Sequence, residues 1–213
     1  MLDWMRHRQL HGPPPHGVGD GVDPAELEGH LHGARSRILD AFELALQARE
    51  PQLGLMDHAA RVAMVAGRIA ASMGIGDGDR YILNTAAQLH EMGMLSLPAD
   101  LIERRGTLSP QELQWVRGQA RVSADIARAA YHPRIALLIE NQYRDHTELR
   151  RDGLAERDLV LAGIFRVADV FATVTWPRPY QAAMSPPTRS HLLQSGAGTR
   201  FDPLAVHAAL SAL

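Results

Sequence analysis

Four residues have the side chains needed to build a metal site: His58, the adjacent pair His90 and Glu91, and Asp169. Imidazole and carboxylate donors suit a divalent Fe, Mn, Zn or Mg ion, and an ion so held can polarise a phosphoryl oxygen or activate water. Asp169 is the starting point. It lies in the middle of "ERDLVLAGIFRVADVFATVTW", a stretch apolar nearly all round, where a carboxylate carries a high desolvation cost unless it is paired, hydrogen-bonded or metal-bound. His58 lies at the start of another apolar helical pattern, and His90 and Glu91 lie in "AAQLHEMGMLSLP", near the end of a third. Residues from separate helices can converge in a bundle core. Neighbours on a regular helix diverge by about 100°. His90 and Glu91 can therefore share one ion only where their helix ends, and the nearby Gly93 is consistent with such an end. On spacing alone, a hydrogen-bonded core histidine is the commoner reading.

The composition narrows the chemistry. There is no Cys, so disulfides and thiolate ligands are excluded. All 22 basic residues are Arg, so no lysine can contact a phosphate, form a Schiff base or act as a general base. A net charge of -2 with mixed signs leaves no electrostatic footprint for nucleic acid or a membrane surface. No apolar run approaches the ~20 residues of a membrane span, and the N-terminus lacks the apolar centre of a signal peptide. A cytoplasmic globular protein with one main domain is expected.

The elements that must position these side chains are helical. Residues 1–22 read as a flexible Gly, Pro and His-rich tail, in which His7, His11 and His16, like His30 and His32 beyond it, fit a polar segment better than a metal site. Residues 23–50 read as an N-terminal helix, with Asp23 as N-cap and Pro24 in the first turn. The main domain, residues 51–213, is expected to carry helices over about 57–73, 79–92, 110–131, 133–144 and 156–176. Two short helices near 186–194 and 203–213 follow. The charged stretch 145–156 reads as a loop. Nothing alternates as a strand should, so the fold class is all-α, a helical bundle with an added N-terminal helix.

Longer stretches carry a resemblance. "DHAARVAMVAGRIAASMGI", "AAQLHEMGMLSLPADLIERRGTLSPQEL", "FRVADVFATVTWPRPYQAAMS" and "GAGTRFDPLAVHAAL" resemble, in order and spacing, the HD-GYP family of the HD superfamily, bacterial metal-dependent phosphodiesterases of cyclic di-GMP. The resemblance implies an all-α HD-type domain and a one-ion site made by His58, His90, Glu91 and Asp169, with Glu91 where the family has Asp. It also implies losses. Gln119, Asn141 and Gln142 stand at histidine positions that would bind further ions, Tyr143 stands where a Glu is usual, and "ELRRDGL" replaces the GYP loop. Met94 stands where a phosphate-contacting lysine is expected, with Arg104 and Arg105 nearby as candidate phosphate contacts. Amides keep hydrogen-bonding capacity but are poor transition-metal ligands, so a two-metal clamp is not expected. The expectation is a degenerate, non-hydrolysing signalling module that partners another signalling protein or a second copy of itself. A one-metal phosphohydrolase and a non-hydrolysing nucleotide sensor are the alternatives.

Overall fold

The computed structural model describes residues 37, 40–41, 44–45, 47–48, 54–102, 107–177 and 182–213. The chain divides into two units, residues 1–37 and 38–213, and the elements below belong to the second. The expected tail, the five N-terminal histidines, most of the N-terminal helix, and the Arg104, Arg105 and Arg178 to Tyr180 positions lie outside the described residues. Asp40, Ala41, Leu44, Ala45, Gln47 and Ala48 are helical and exposed.

From residue 54 onward the described residues form helices α1 (Leu55–Ser72), α2 (Asp77–Leu89), α3 (Ala99–Ile102), α4 (Pro110–Ala130) and α5 (Pro133–Glu140). They continue with α6 (His146–Arg151), α7 (Glu156–Thr175), α8 (Pro186–Gly196) and α9 (Pro203–Ala212), and a 3₁₀ helix, Met92–Ser96, follows α2. No strand occurs among the described residues, only an isolated bridge between Ala197 and Phe201. The fold is all-α, as the periodicity predicts.

Local chemistry sets several boundaries. Ser109 caps α4 reciprocally: its hydroxyl accepts the Glu112 N–H at 3.3 Å, and the Glu112 carboxylate accepts the Ser109 N–H at 2.8 Å. Pro110 then fits the first turn, where no intrahelical donor is lost. Helix α7 buries Leu159, Leu161, Ile164, Phe165, Val167, Ala168, Phe171 and Val174, which cover most of its circumference. It packs on α1, which also packs on α2 and α9, while α4 packs on α5 and on the 3₁₀ helix. Asp169 is thereby carried into the core by the most apolar element.

Three boundaries differ from the sequence reading. Residues 145–156 are not wholly a loop, because α6 forms there. Its start is fixed by the Asp145 N–H donating to the Glu148 carboxylate at 3.0 Å. The N–H groups of His146 and Thr147 meanwhile reach the carbonyls of Arg200 and Thr199. Gly153, with φ of 76°, closes α6 with bonds from its own N–H to the Arg150 carbonyl and from Leu154 to Leu149. Helix α5 stops at Glu140 rather than near Arg144, because Asn141 turns its amide back onto the Leu137 carbonyl at 2.8 Å. Helix α2 ends at Leu89, so His90 is its C-cap and Glu91 already leads into the 3₁₀ helix.

Candidate metal centre

Three helices bring His58, Asp169 and His90 together. His58 lies in the first turn of α1, Asp169 in the middle of α7, and His90 at the end of α2, and all three are buried. His58 Nε2 lies 3.1 Å from Asp169 Oδ1, and His90 Nε2 lies 3.9 Å from the same oxygen. One ligand atom from each residue falls within 4.8 Å of the others, a separation that a single ion can bridge. Glu91 is buried next to His90 but stands outside this converging set.

The His90 ring is fixed by its own helix. Nδ1 donates to the Ala87 carbonyl at 2.7 Å, and the edge of Phe165 packs at right angles to the imidazole with ring centroids 5.6 Å apart. A neutral ring that spends its proton on Nδ1 presents a bare lone pair at Nε2. That buried atom has no hydrogen-bond partner among the described residues. A metal-ligating histidine characteristically has its other nitrogen tied to a backbone carbonyl, so this arrangement fits an ion better than it fits a satisfied core residue.

The electrostatics agree. Burial pushes the His90 imidazole below its ordinary pKa, against the opposing pull of Glu91 and Asp169, which favours the neutral ligand form. At Asp169 burial, the largest single effect, would raise the pKa, and the His58 hydrogen bond opposes it. Together with the electrostatic effects of His58, His90 and Arg166, that bond outweighs burial and holds the carboxyl well below the usual range. An anionic carboxylate and two imidazoles form a donor set suited to Mn, Fe or Zn, and three protein ligands leave room for a substrate or water.

The positions at which the resemblance implies lost ligands are occupied by hydrogen-bonded side chains. Gln119, 1% exposed, accepts the Ser123 hydroxyl at 2.9 Å and donates to the Tyr143 hydroxyl at 3.2 Å. Ser123 in turn accepts the Gly93 N–H at 2.7 Å. The amide of Gln142 donates to the backbone carbonyl of His90 at 3.3 Å. Gly93 allows this close seating: a Cβ there would lie 2.1 Å from the Gln119 carbonyl oxygen. Met94 is buried in the core.

One neighbour was not singled out from the sequence. Arg166 lies one turn before Asp169 on α7, its Nη1 4.0 Å from Asp169 Oδ2, on the carboxylate oxygen opposite the one facing the histidines. The signal was available as a single charge three residues before the buried aspartate, a spacing that places both on one helix face.

Comparison with known proteins identifies the scaffold. A family model described as HD domain matches residues 42–204. The chain is 28% identical over 190 residues to the cyclic di-GMP phosphodiesterase response regulator RpfG of Xanthomonas campestris, covering 87% of this chain and 49% of that protein. It is 27% identical over 169 residues to a 3'3'-cGAMP-specific phosphodiesterase of Vibrio cholerae, covering 78% of this chain and 36% of the relative. A cyclic di-GMP phosphodiesterase of Thermotoga maritima is 27% identical over 158 residues, with 72% and 43% covered. A crystal structure of a cyclic GMP-AMP specific phosphodiesterase of Vibrio cholerae superposes with a TM-score of 0.51 at 25% identity, covering 90% of this chain and 42% of that one. The chain thus spans about half or less of the length of these relatives. No helix among the described residues is long and apolar enough to cross a membrane. The family match extends over well more than half of the sequence and encloses His58, His90 and Asp169, and the chain belongs to the HD-domain family.

Proposed function

We propose that this chain is a signalling module derived from the cyclic dinucleotide phosphodiesterases, holding one divalent ion and recognising a phosphoester ligand without two-metal hydrolysis. The observation that carries the reading is the contrast between two sets of side chains. His58, His90 and Asp169 converge with an unpartnered imidazole lone pair, whereas Gln119, Asn141 and Gln142 are amides, poor transition-metal ligands that each make a hydrogen bond, although Gln142 Oε1 has no partner among the described residues. When bound, the ion would supply Lewis-acid polarisation of a phosphoryl oxygen or of water. The chain's own residues do the rest: Ala87 fixes the His90 tautomer, His58 orients the Asp169 carboxylate, and Gln142 anchors the His90 backbone.

A second protein of the same signalling system, or a second copy of this chain, is the proposed partner. The test is incubation of purified protein with cyclic di-GMP and 3'3'-cGAMP in Mn or Fe. Binding without turnover is expected. Turnover comparable to that of an active relative would sink the proposal and favour a second reading, a one-metal phosphohydrolase, to which the unpartnered lone pair of the buried His90 Nε2 lends support. Elemental analysis after growth in metal-supplemented medium separates both from a metal-free module.

A further inference from the structure

Arg166 is a largely buried charge whose ion pair with Asp169 is only at the edge of contact. Its side chain is only 14% exposed, its nearest carboxylate oxygen is at 4.0 Å, and its Nε has no hydrogen-bond partner among the described residues. Arg134 is more fully paired: at 21% exposure it bonds Asp79 at 2.9 Å and Asp158 at 2.5 Å, although its Nη2 also has no partner among the described residues. Taking a guanidinium from water is costly unless hydrogen bonds replace its hydration, and with its ion-pair partner as far as 4.0 Å Arg166 keeps donor capacity for a ligand beside Asp169. Arg200 adds to the imbalance. Both guanidinium groups lie against the Phe201 ring, 5.9 Å and 5.2 Å from its centroid, and Arg200 repels Arg166 while Asp169 and Asp145 attract it.

The position is informative. Asp169 Oδ1 faces His58 and His90, and Oδ2 faces Arg166, so an ion on the first side and an anion on the second would flank one carboxylate. Tyr143, hydrogen-bonded to Gln119, is among the groups that act on Arg166, which sets this guanidinium near the residues that fill the implied second-ion positions. With no lysine in the chain, any fixed cation at the site must be an arginine.

We propose that Arg166 is the phosphate-contacting residue of this centre, its planar guanidinium donating to a non-bridging phosphate oxygen beside the His58, His90 and Asp169 cluster. The inference rests on the phosphoester-binding reading above and names the residue that would carry it. Arginine suits the role because its fork can donate two parallel hydrogen bonds to one phosphate.

The test is isothermal titration of the full chain, with and without Mn, using inorganic phosphate and cyclic di-GMP as separate probes, alongside metal stoichiometry. Arg166→Ala should weaken binding of both probes by about tenfold or more, a charged hydrogen-bond contribution. Arg166→Lys should retain part of the affinity, and Mn stoichiometry should stay at the wild-type value in both variants. Arg166→Gln, close in shape and able to donate, guards against a folding defect, and its thermal midpoint should not fall. Unchanged phosphate affinity in Arg166→Ala, or a wild type that binds neither probe, overturns the inference. Absence of Mn binding in the wild type defeats the one-ion reading instead, while Arg166-dependent phosphate binding would still stand.

Discussion

Replacing Gly93 by alanine tests how the end of α2 is seated. The added Cβ would lie 2.1 Å from the Gln119 carbonyl oxygen and 2.9 Å from its carbonyl carbon. Ordinary carbon contacts begin at about 3.5 Å, so the backbone of the 3₁₀ helix or of α4 must retreat by roughly 1 Å or more. Both clashing atoms are main chain within a continuous helix, so no rotamer change relieves them. Overpacking of this kind costs about 1–3 kcal/mol. The retreat also stretches the 2.7 Å bond from the Gly93 N–H to Ser123, and a buried N–H left unpaired costs about 1–3 kcal/mol. The expected loss is therefore about 2–6 kcal/mol. Urea unfolding followed by circular dichroism reads it as a lowered midpoint at unchanged slope. Because His90 precedes this segment, Mn affinity should fall with stability. A loss below about 0.5 kcal/mol would refute the argument, since only ordinary surface substitutions cost so little.

Asp169→Asn, nearly isosteric, should lower Mn or Fe affinity by about 100-fold in equilibrium dialysis while leaving the helical circular dichroism intact; unaltered stoichiometric binding would exclude the carboxylate as a ligand. Asp79 is held below the usual carboxylate pKa by its hydrogen bond to Arg157 at 2.8 Å and by Arg134, against the opposing effect of burial. A depressed folded pKa gives stability that is complete above the unfolded value of about 3.9 and lost as pH falls through the folded one. Wild-type urea midpoints should accordingly drop on acidification below about pH 4, and Asp79→Asn should drop less steeply; parallel acid limbs would contradict this. Asp202→Ala removes an acceptor for the Leu204 and Ala205 N–H groups at 2.8 and 2.9 Å, and should cost about 1–2 kcal/mol by thermal unfolding, with Asp202→Asn recovering most of it.

The sequence was most legible where one physical cost dominated. A carboxylate inside an apolar helix had to be paired, and Asp169 is paired with His58. Helix starts were readable wherever a polar cap preceded an apolar run, as at Ser109. Helix α6 escaped because charge without periodicity resembles a loop, although the Asp145 and Glu148 spacing and Gly153 carried the signal. The end of α5 was misplaced because Asn141 competes for the Leu137 carbonyl, a choice that helix propensity does not record. The engagements of Gln119 and Gln142 depend on residues 24 and 52 positions away, and no local pattern encodes them. Arg166 was overlooked for the complementary reason. Its spacing to Asp169 was readable, but its place against the Phe201 ring depends on a residue 35 positions away.

The bonds from Gly93 to Ser123, Gln119 and Tyr143 have a thermodynamic corollary. They tie the segment that presents His90 to the inner face of α4 and to the turn after α5. Displacement of α4 along its axis would therefore move a ligand of the ion. Linkage makes the relation reciprocal: whatever binds α4 and shifts it alters ion affinity by some factor, and ion occupancy alters that binder's affinity by the same factor. The amides at the implied second-ion positions would thus couple the candidate site to the position of a helix that also carries the exposed Trp115 and Val122.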